Sequence, residues 1–542
     1  MPDEPIEGIP VSNTATPDTT GRAPDTAAID VRDPATGRVV GRVTDHSAAA
    51  VAEAVLRLRA RQPEWEAIGV RERAKWLRAF QDWLLDNGPR LTEVVRSETG
   101  KTRFDAAIEV PAAVDLAKYW ADRAEGFLAD ERPRPHSPIG LAKRLVSTVR
   151  PYPVVGIVTP WNLPLLNPCF DAFAALLAGA AVLVKPSEVT PLSAVELARG
   201  WAEIGAPPVF TVLTGGGDTG RAVVDTVDFV QFTGSTRTGR AIAAACAQRL
   251  IPYSLELGGK DPAIVLADAD IDRAAAGIAY GALFNAGQVC ISVERVYVEA
   301  AVYDRFVERL VGKVRALRQG RDGRAFTHDI GAMATAAQCD IVTRHVADAV
   351  AKGARILCGG KAFGGGRYFE PTVLADVDHT MLCLTEETFG PLIPVVAVAD
   401  EDEAVRLAND SVYGLSATVW TGDRRRGERV ARRLEVGAVN VDDAFANLMS
   451  FALPMGGWKD SGIGARWGGA AGIRKYCRQQ AITVPRGPAL PREPLWYPAS
   501  GLRSRLVTTL MRAVDARGRR RLPIPARRNR QAATTDTTRT HP

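Results

Sequence analysis

The chain has 542 residues, enough for two or three domains, and its 46% hydrophobic and 24% charged residues are ordinary for a soluble globular protein. Its seven cysteines contain no CxxC pair and its six histidines have no ligand spacing, which argues for a reducing compartment and against a metal site. The net charge of +6 comes from residues 501–530, which carry +9, so the remainder carries −3 and the basic balance says nothing about partners of the main body.

Residues 1 to about 28 are rich in Pro, Thr, Asp and Gly, which predicts a disordered segment. They lack the basic and then apolar order of a signal peptide, so we expect a cytoplasmic protein. A short strand and a turn are expected from Asp30 to Pro34. Ala48–Arg61 and Arg71–Asp86 have the apolar spacing of helices.

From Val154 the pattern alternates between short β runs and helices: VVGIVTP, a helix from near Leu165, AVLVKPS, a helix from Leu192, then TVLTGGG and DFVQFTGS. Such alternation predicts a parallel, doubly wound α/β sheet. Asp261–Leu266 opens a second α/β region that carries Cys290 and continues to about Gly457.

Several short motifs occur along these elements. Phe284 to Cys290 reads FNAGQVC, and Glu256 lies thirty-four residues upstream in ELGGK. A free cysteine is usually a small buried hydrophobe, so the motif says little alone. The others, in order, are Pro160-Trp161-Asn162, Lys185-Pro186-Ser187-Glu188, Phe232-Thr233-Gly234-Ser235, Glu387-Thr388-Phe389-Gly390-Pro391 and Pro454-Met455-Gly456-Gly457. Through this set the chain resembles the aldehyde dehydrogenase superfamily, from about Ile29 to about Val484.

The resemblance implies a Rossmann-like coenzyme domain, an α/β catalytic domain and a small oligomerisation arm. The expected bounds are 29–140 and 154–260 for the NAD(P)-binding domain, 261–457 for the catalytic domain, 141–153 and 473–485 for the arm, and 486–542 for a basic extension. A homodimer or homotetramer is expected.

The resemblance also assigns the chemistry. Cys290 is the nucleophile, whose attack on an aldehyde makes the tetrahedral thiohemiacetal from which a hydride can leave. The Asn162 amide and the backbone N–H of Cys290 stabilise the oxyanion. Glu256 is the general base that activates water on the thioester, and its apolar neighbours predict a raised pKa. Relatives that pass the acyl group to coenzyme A typically lack this glutamate, so hydrolysis is expected.

The expected coenzyme is NAD, with NADP kept open. Lys185 and Glu188 would hold the adenosine ribose, where a carboxylate repels a 2′-phosphate. Gly234 and Ser235 open a helix after a strand, which suits a pyrophosphate. Further contacts implied by the family are Pro160, Trp161, Ser187, Leu257, Glu387 and Phe389.

Two positions depart from the family pattern. Many members have a lysine where Asp171 stands and a glutamate where Arg466 stands. We predict that Asp171 and Arg466 form an ion pair of inverted polarity near Glu256. The alternative is that Arg466 is simply solvated.

The substrate tunnel is expected to be lined by Phe170, Phe284 and Phe445. Succinate-semialdehyde dehydrogenases of the better-known type have an arginine six residues before the cysteine, where this chain has Phe284. Unless Arg474 or another cation reaches the site, the aromatic wall favours an apolar or aromatic aldehyde. The overall similarity to actinobacterial proteins named succinate-semialdehyde dehydrogenase supports the alternative substrate. A non-catalytic binding protein on the same fold is a remote alternative, since Cys290, Asn162 and Glu256 are all present.

The segment Gly501–Val514 places leucines on one helical face and arginines elsewhere. It could contact an anionic membrane surface or dock on the protein body. Arginine clustering also permits weak nucleic-acid affinity, but no recognition motif predicts a specific nucleic-acid partner.

Overall fold

The computed structural model describes residues 27–136, 138–323, 325–488, 491–493, 496–498 and 500–521. These fall into two compact units. The larger unit holds the described residues up to Leu128 together with Arg150–Arg478, and the smaller holds Ala129–Val149 and the described residues from Gln479 onward. The segment 1–26, predicted to be disordered, and residues 522–542 of the basic extension lie outside the described residues.

Within the described residues the β-strands are β1 Ala28–Arg32, β2 Val39–Thr44, β3 Lys143–Pro151, β4 Val154–Val158, β5 Ala181–Lys185, β6 Phe210–Val212, β7 Phe229–Thr233, β8 Tyr253–Glu256, β9 Asp261–Val265, β10 Val293–Glu299, β11 Arg355–Cys358, β12 Ala362–Phe363, β13 Tyr368–Phe369, β14 Thr372–Ala375, β15 Leu392–Val398, β16 Tyr413–Gly414, β17 Ser416–Trp420, β18 Ala438–Val441, β19 Trp458–Lys459, β20 Gly462–Ile463 and β21 Cys477–Pro485.

The α-helices of the same residues are α1 Ala48–Ala67, α2 Gly69–Asp86, α3 Gly88–Thr99, α4 Arg103–Ala107, α5 Glu109–Leu128, α6 Pro138–Leu141, α7 Leu166–Ala178, α8 Leu192–Glu203, α9 Gly217–Thr226, α10 Thr236–Arg249, α11 Ile271–Leu283, α12 Tyr303–Arg315, α13 Ala336–Ala351, α14 Leu382–Thr385, α15 Glu401–Asn409, α16 Arg424–Ala431, α17 Ala470–Arg474 and α18 Gly501–Asp515. None of these helices is both long and apolar enough to span a bilayer.

The first elements follow the sequence pattern. The predicted strand at Asp30 is β1, which pairs antiparallel with β2. The two predicted helices are α1 and α2, and Ser47 caps α1 by accepting from the N–H of Ala50. Helix α1 runs through Pro63 instead of ending near Arg61, because Trp65 Nε1 donates to the carbonyl of Leu176 at 2.9 Å and the last turn is buried.

The first sheet of the larger unit has the order β20-β8-β7-β4-β5-β6 in the described chain, with every strand parallel except β20. Strands β4, β5 and β7 are apolar and almost entirely buried, as expected when helices cover both faces. The chain runs from β4 outward to β6 and then returns to β7 on the other side of β4. This reversal opens a crevice at the carboxyl ends of the strands, which is where doubly wound folds bind ligands.

The second sheet of the larger unit has the order β11-β14-β15-β10-β9-β17-β18, and β11 is its antiparallel edge. Its core contains the buried apolar residues of α11, α12 and α13. Cys290 lies between α11 and β10. The predicted doubly wound α/β fold is therefore confirmed.

The smaller unit contains most of β3 and β21, which pair with each other, together with α6 and α18. Lys143 Nζ and Glu493 Oε1 form an ion pair at 2.7 Å in this unit. The leucines of α18 are exposed. The assignment of an arm and of the coenzyme and catalytic domains stays a prediction.

Gly277 of α11 offers a test of how tightly this helix packs. A Cβ at Gly277 would lie 2.1 Å from the Trp420 ring, whereas a Cβ at Gly312 of α12 would have no heavy atom within 4 Å. Gly277→Ala should therefore destabilise the protein by about 1–3 kcal/mol through overpacking. Gly312→Ala should stabilise it by about 0.5–1 kcal/mol, the usual helix preference. Urea unfolding midpoints of both variants check this, and a Gly277→Ala protein as stable as Gly312→Ala would contradict it.

Candidate active site

Cys290 follows a strained turn. After α11 the chain forms a 3-10 turn, in which Asn285, Ala286 and Gly287 have φ values of 54°, 54° and 73°. A left-handed conformation costs a residue with a side chain about 1–2 kcal/mol. Gly287 is required here, because a Cβ would lie 2.2 Å from the carbonyl oxygen of Gly390.

Buried hydrogen bonds hold this turn. The backbone N–H of Asn285 donates to Asp105 Oδ2 at 3.2 Å, and Asn285 Nδ2 donates to the carbonyl of Asn162 at 3.2 Å. Gln288 Nε2 donates to the carbonyl of Asn285 at 3.0 Å, and Gln288 Oε1 accepts from the N–H of Ala334 at 2.8 Å. The contacts offset the strain and fix the position of Cys290.

Cys290, Glu256 and Asn162 line one cavity of about 260 Å³. Glu256 is the last residue of β8 and Asn162 follows β4, so both stand at the carboxyl edge of the first sheet. Asn162 Nδ2 donates to the carbonyl of Gln288 at 3.0 Å. An amide nitrogen has a second N–H, which remains for a substrate oxygen. The three predicted catalytic residues are thus brought together from both sheets.

The cavity is poor in water contact, and this sets its acid–base chemistry. Burial raises the pKa of the Cys290 thiol well above its ordinary value, and the Glu256 carboxylate raises it further. Burial also raises the pKa of Glu256, and the neighbouring Arg466 guanidinium and Cys290 thiol oppose this shift. The predicted raised pKa of Glu256 is confirmed. The raised pKa favours the thiol form of Cys290, and Glu256 is the carboxylate beside it.

Asp171 and Arg466 form the predicted ion pair. Arg466 Nη2 lies 3.1 Å from Asp171 Oδ2, and Arg466 Nη1 lies 3.2 Å from Glu256 Oε2. All three side chains are at most 2% exposed. The prediction of an inverted pair beside the base is confirmed, and a solvated Arg466 is excluded.

A second cavity, of about 790 Å³, opens at the carboxyl ends of β4, β5 and β7. Among the predicted coenzyme contacts, the residues that line it are Pro160, Trp161, Lys185, Ser187, Glu188, Gly234 and Ser235. Leu257, Glu387 and Phe389 line the smaller cavity with Cys290. Both cavities include Pro160, Trp161, Gly234 and Ser235, so a long ligand in the larger cavity can extend toward Cys290.

The residues of the larger cavity fit a nicotinamide dinucleotide. Helix α10 begins at Thr236 with Ser235 as its N-cap, which directs free N–H groups and the helix dipole toward a pyrophosphate. Among the described residues, the buried hydroxyls of Thr159 and Thr233 have no hydrogen-bond partner. Lys185 Nζ and Glu188 Oε2 lie 3.2 Å apart at the far end, where ribose hydroxyls would be held.

Glu387 and Phe389 approach the nucleophile from the loop before β15. Glu387 Oε1 accepts from the N–H of Gly259 at 3.1 Å, and burial raises the pKa of Glu387 to about 8. Phe389 has a φ of 51° and packs edge-on against Trp161, with ring centroids 5.4 Å apart. The N–H of Phe389 donates to Glu294 Oε1 at 2.7 Å, which holds this unusual backbone.

The three tunnel candidates are in two places. Phe170 lines the cavity at Cys290, where its ring contacts Trp467 with centroids 4.6 Å apart. Phe284 and Phe445 lie outside this lining and pack against each other and Tyr280, with centroids 5.5–5.7 Å apart.

The remote cation proposed from the sequence is elsewhere. Arg474 Nε donates to the carbonyl of Phe127 at 2.6 Å and does not line the cavity. Within the described chain, the one cation lining this cavity is Arg466, which already contacts two carboxylates.

Sequence reasoning missed three residues behind Glu256. Asn167 Oδ1 accepts from Arg466 Nη2 at 2.9 Å, Tyr476 Oη donates to Asp171 Oδ1 at 3.1 Å, and Lys475 Nζ lies 3.6 Å from Asp171 Oδ1. The four-residue spacing of Asn167 and Asp171 in α7 was a usable signal, because it puts both on one helix face. Lys475 and Tyr476 gave no comparable signal.

Comparison with known proteins agrees with this geometry. A model of the aldehyde dehydrogenase family matches residues 22–482. A Mycolicibacterium smegmatis protein with the provisional name succinate-semialdehyde dehydrogenase, NADP(+), is 40% identical over 89% of this chain and 93% of its own. The 4,4'-diapolycopene aldehyde oxidase of a Methylomonas species is 39% identical over 86% of this chain and 87% of its own.

Solved structures give the same result. The aldehyde dehydrogenase of Mycobacterium tuberculosis, determined in complex with NAD+, has a TM-score of 0.81 and 33% identity, and the match covers 85% of this chain and 96% of that one. The chain therefore belongs to the aldehyde dehydrogenase family.

Proposed function

We propose that the protein oxidises an aldehyde to the carboxylic acid with NAD(P), through a thioester on Cys290 that Glu256-activated water hydrolyses. The observation that carries this proposal is that Cys290, Glu256 and Asn162 line one buried cavity, which shares residues with a crevice suited to a dinucleotide.

The first half-reaction begins when the Cys290 thiol gives its proton to Glu256 and the sulfur attacks the carbonyl carbon. The free N–H of the Asn162 amide then donates to the developing oxyanion, a contact worth about 3–4 kcal/mol when it is aligned. A nicotinamide dinucleotide bound in the crevice supplies the acceptor for the hydride that leaves the tetrahedral carbon. Departure of the hydride and collapse of the oxyanion leave a thioester on Cys290, and Glu256 releases the thiol proton to solvent water before it acts as a base again.

The second half-reaction needs a hydroxide equivalent inside the cavity. Glu256 takes a proton from water while the water oxygen bonds to the thioester carbon, and the C–S bond then breaks with its electron pair on sulfur. A base positioned in this way contributes about 10²–10⁴-fold. The retained glutamate supports hydrolysis over transfer to coenzyme A.

For the coenzyme we favour NAD and keep NADP as the alternative. The carboxylate of Glu188 beside Lys185 suits a free 2′-hydroxyl and opposes a 2′-phosphate. The Mycobacterium tuberculosis relative was determined with NAD+, and the name of the Mycolicibacterium smegmatis relative specifies NADP(+).

For the substrate we favour an apolar or aromatic aldehyde. The lining of the cavity includes Phe170, Leu448, Met455 and Trp467, and its cation is already paired. The name of the Methylomonas relative specifies the aldehyde of a carotenoid-type hydrocarbon. The name of the Mycolicibacterium smegmatis relative supports succinate semialdehyde as the alternative.

We also propose a homodimer or homotetramer assembled through the arm.

We further propose that the protein makes peripheral membrane contact through α18. Leu502, Leu506 and Leu510 recur every four residues and are 78%, 67% and 46% exposed. The arginines around them give the segment a strong positive charge that matches an anionic lipid surface, whereas a second copy of the segment would be repelled. A cytoplasmic location remains a prediction from the sequence.

Replacing the base separates the two half-reactions. Glu256→Gln should slow the burst of reduced coenzyme, because the Cys290 thiol has lost its proton acceptor, but should leave a burst amplitude close to one per active site. Steady turnover should fall about 10²–10⁴-fold because water is no longer activated. Stopped-flow absorbance of the reduced coenzyme measures both phases. Cys290→Ala is the control, and it should bind coenzyme but give neither phase. An unchanged steady rate in Glu256→Gln would contradict the assignment.

Substrate preference distinguishes the two candidate aldehydes. We expect kcat/KM for a medium-chain aldehyde and for benzaldehyde to exceed that for succinate semialdehyde by about tenfold or more, since a carboxylate would enter an apolar cavity without a partner. Initial rates with the three compounds at matched coenzyme concentration decide this. A preference for succinate semialdehyde would instead require a cation outside the described cavity lining.

Vesicle flotation tests the membrane contact. The full-length protein should float with vesicles that contain phosphatidylserine and remain unbound with phosphatidylcholine alone, and added salt should weaken the binding. Leu506→Glu should reduce flotation severalfold. Leu250→Glu is the matched control, because Leu250 is 92% exposed and far from α18 in sequence. Equal binding of both variants, or of both vesicle types, would refute the proposal.

A further inference from the structure

A buried group of charges lies directly behind Glu256. Arg466 donates from Nη1 to Glu256 Oε2 at 3.2 Å, and from Nη2 to Asp171 Oδ2 at 3.1 Å and Asn167 Oδ1 at 2.9 Å. The guanidinium carbon also lies 4.7 Å from the centroid of the Phe170 ring. The guanidinium of Arg466 is therefore held by hydrogen bonds from its two Nη atoms and by the Phe170 ring against its face.

Asp171 is held from its other side as well. Its Oδ1 accepts from Tyr476 Oη at 3.1 Å and lies 3.6 Å from Lys475 Nζ. Lys475 Nζ in turn donates to Gln231 Oε1 at 2.8 Å and to the carbonyl of Arg466 at 3.0 Å. The group contains two carboxylates and two cations, and Arg466 is the member in direct contact with the proposed base.

We propose that Arg466 is a positioning residue for hydrolysis: its charge favours the ionised form of Glu256 in the buried cavity, its hydrogen bond orients the carboxylate, and Asp171 moderates that charge. This inference rests on the proposed function, because it concerns the base of the second half-reaction.

The orientation follows from the two carboxylate oxygens. Oε2 of Glu256 is occupied by Arg466, while Oε1 has no hydrogen-bond partner among the described residues. Because Glu256 lines the same cavity as Cys290, its Oε1 is the oxygen left to accept a proton from water at the thioester. A rotation of the carboxylate would break the bond to Arg466, so the cluster opposes it.

Arg466 acts by charge and position and not as a proton carrier, because a guanidinium does not release its proton in proteins. The proton that Glu256 takes from water therefore stays on the cavity side. When the C–S bond breaks, the electron pair remains on the Cys290 sulfur, and the proton on Glu256 can return to it. Water and thioester are thereby converted into carboxylic acid and thiol, with the atoms balanced.

The charges around Glu256 predict the direction in which each substitution should shift its pKa. The ionisable groups acting on Glu256 and on this cluster are Arg466, Asp171, Lys475, Tyr476, Cys290 and Glu387. Arg466 lowers the pKa of Glu256 and Asp171 raises it, and the effect of Asp171 exceeds the opposite effect of Lys475. Removing Arg466 should therefore raise the pKa of the base, and removing the charge of Asp171 should lower it.

The experiment measures steady-state turnover after the burst as a function of pH, in conditions where hydrolysis limits the rate. In Arg466→Gln the acid limb should move upward by about one pH unit or more, with roughly tenfold slower hydrolysis at neutral pH. Arg466→Lys should move it less, since the charge is kept. Asp171→Asn, which preserves the shape of the side chain, should move the limb downward.

Two controls distinguish an effect on Glu256 from misfolding and from the loss of any positive charge. Arg199→Gln removes a 58% exposed arginine of α8 and should leave the limb unchanged. The amplitude of the burst reports folded enzyme with an intact first half-reaction in each variant. If Arg466→Gln does not fold, the acid limbs of Arg466→Lys and Asp171→Asn are compared, and they should still move in opposite directions. Arg466→Lys retains the charge, and Asp171→Asn retains the shape of the side chain.

The proposal is overturned if Arg466→Gln and Asp171→Asn move the acid limb in the same direction, or if neither moves it while both keep the burst. A purely structural role would lower rates in both variants without shifts of opposite sign. A wild-type enzyme without burst or turnover would instead overturn the proposed function.

Discussion

Desolvation of two acids in one cavity is the constraint on which the rest of this site depends. Away from water, the Cys290 thiol and the Glu256 carboxyl both bind their protons more tightly, and the Glu256 carboxylate disfavours ionisation of Cys290 further. A site of this kind needs a counter-charge that cannot itself be neutralised. Arg466 meets that need, and Asp171 in turn keeps a buried guanidinium from being left with too little negative charge around it.

The architecture brings these groups together through close backbone approach. Glu256 ends β8 of one sheet and Cys290 precedes β10 of the other, and the short segment after Glu256 packs closely against the backbone of Cys290. At Gly259 a Cβ would lie 2.6 Å from the carbonyl of Cys290, and at Gly258 one would lie 2.4 Å from the Glu387 carboxylate. The pair of glycines after Glu256 is thus a spatial requirement of the site, and not only a turn.

Much of this arrangement could be predicted from the sequence, for identifiable reasons. Alternating β runs and helices indicated the doubly wound sheet, and motifs at strand ends converge because parallel strands share a carboxyl edge. The pair of Asp171 and Arg466 was predictable since both departures from the family pattern reverse charge together. The continuation of α1 through Pro63 was not, because a tertiary contact of Trp65 outweighs the local cost of proline.

Other features depend on packing that no local pattern records. Nothing in the letters FNAG indicates successive left-handed residues, since Ala286 adopts that conformation only within its hydrogen-bonded surroundings. Phe284 and Phe445 were predicted to line the substrate tunnel, which stays a prediction, and their packing with Tyr280 outside the lining of the cavity at Cys290 is a tertiary contact that the sequence does not indicate. Lys475 lies 304 positions after Asp171 in the sequence, and only folding brings the two side chains together.

The protonated state of Cys290 has a consequence for the lifetime of the enzyme. Oxidants and alkylating reagents attack thiolates, and the raised pKa of the partly exposed Cys290 thiol disfavours that form. The other cysteines are buried, apart from the half-buried Cys358, and burial raises the pKa of that thiol as well. Without substrate, the protonated sulfur of Cys290 should therefore react slowly with oxidants, and it should become susceptible once its proton is removed.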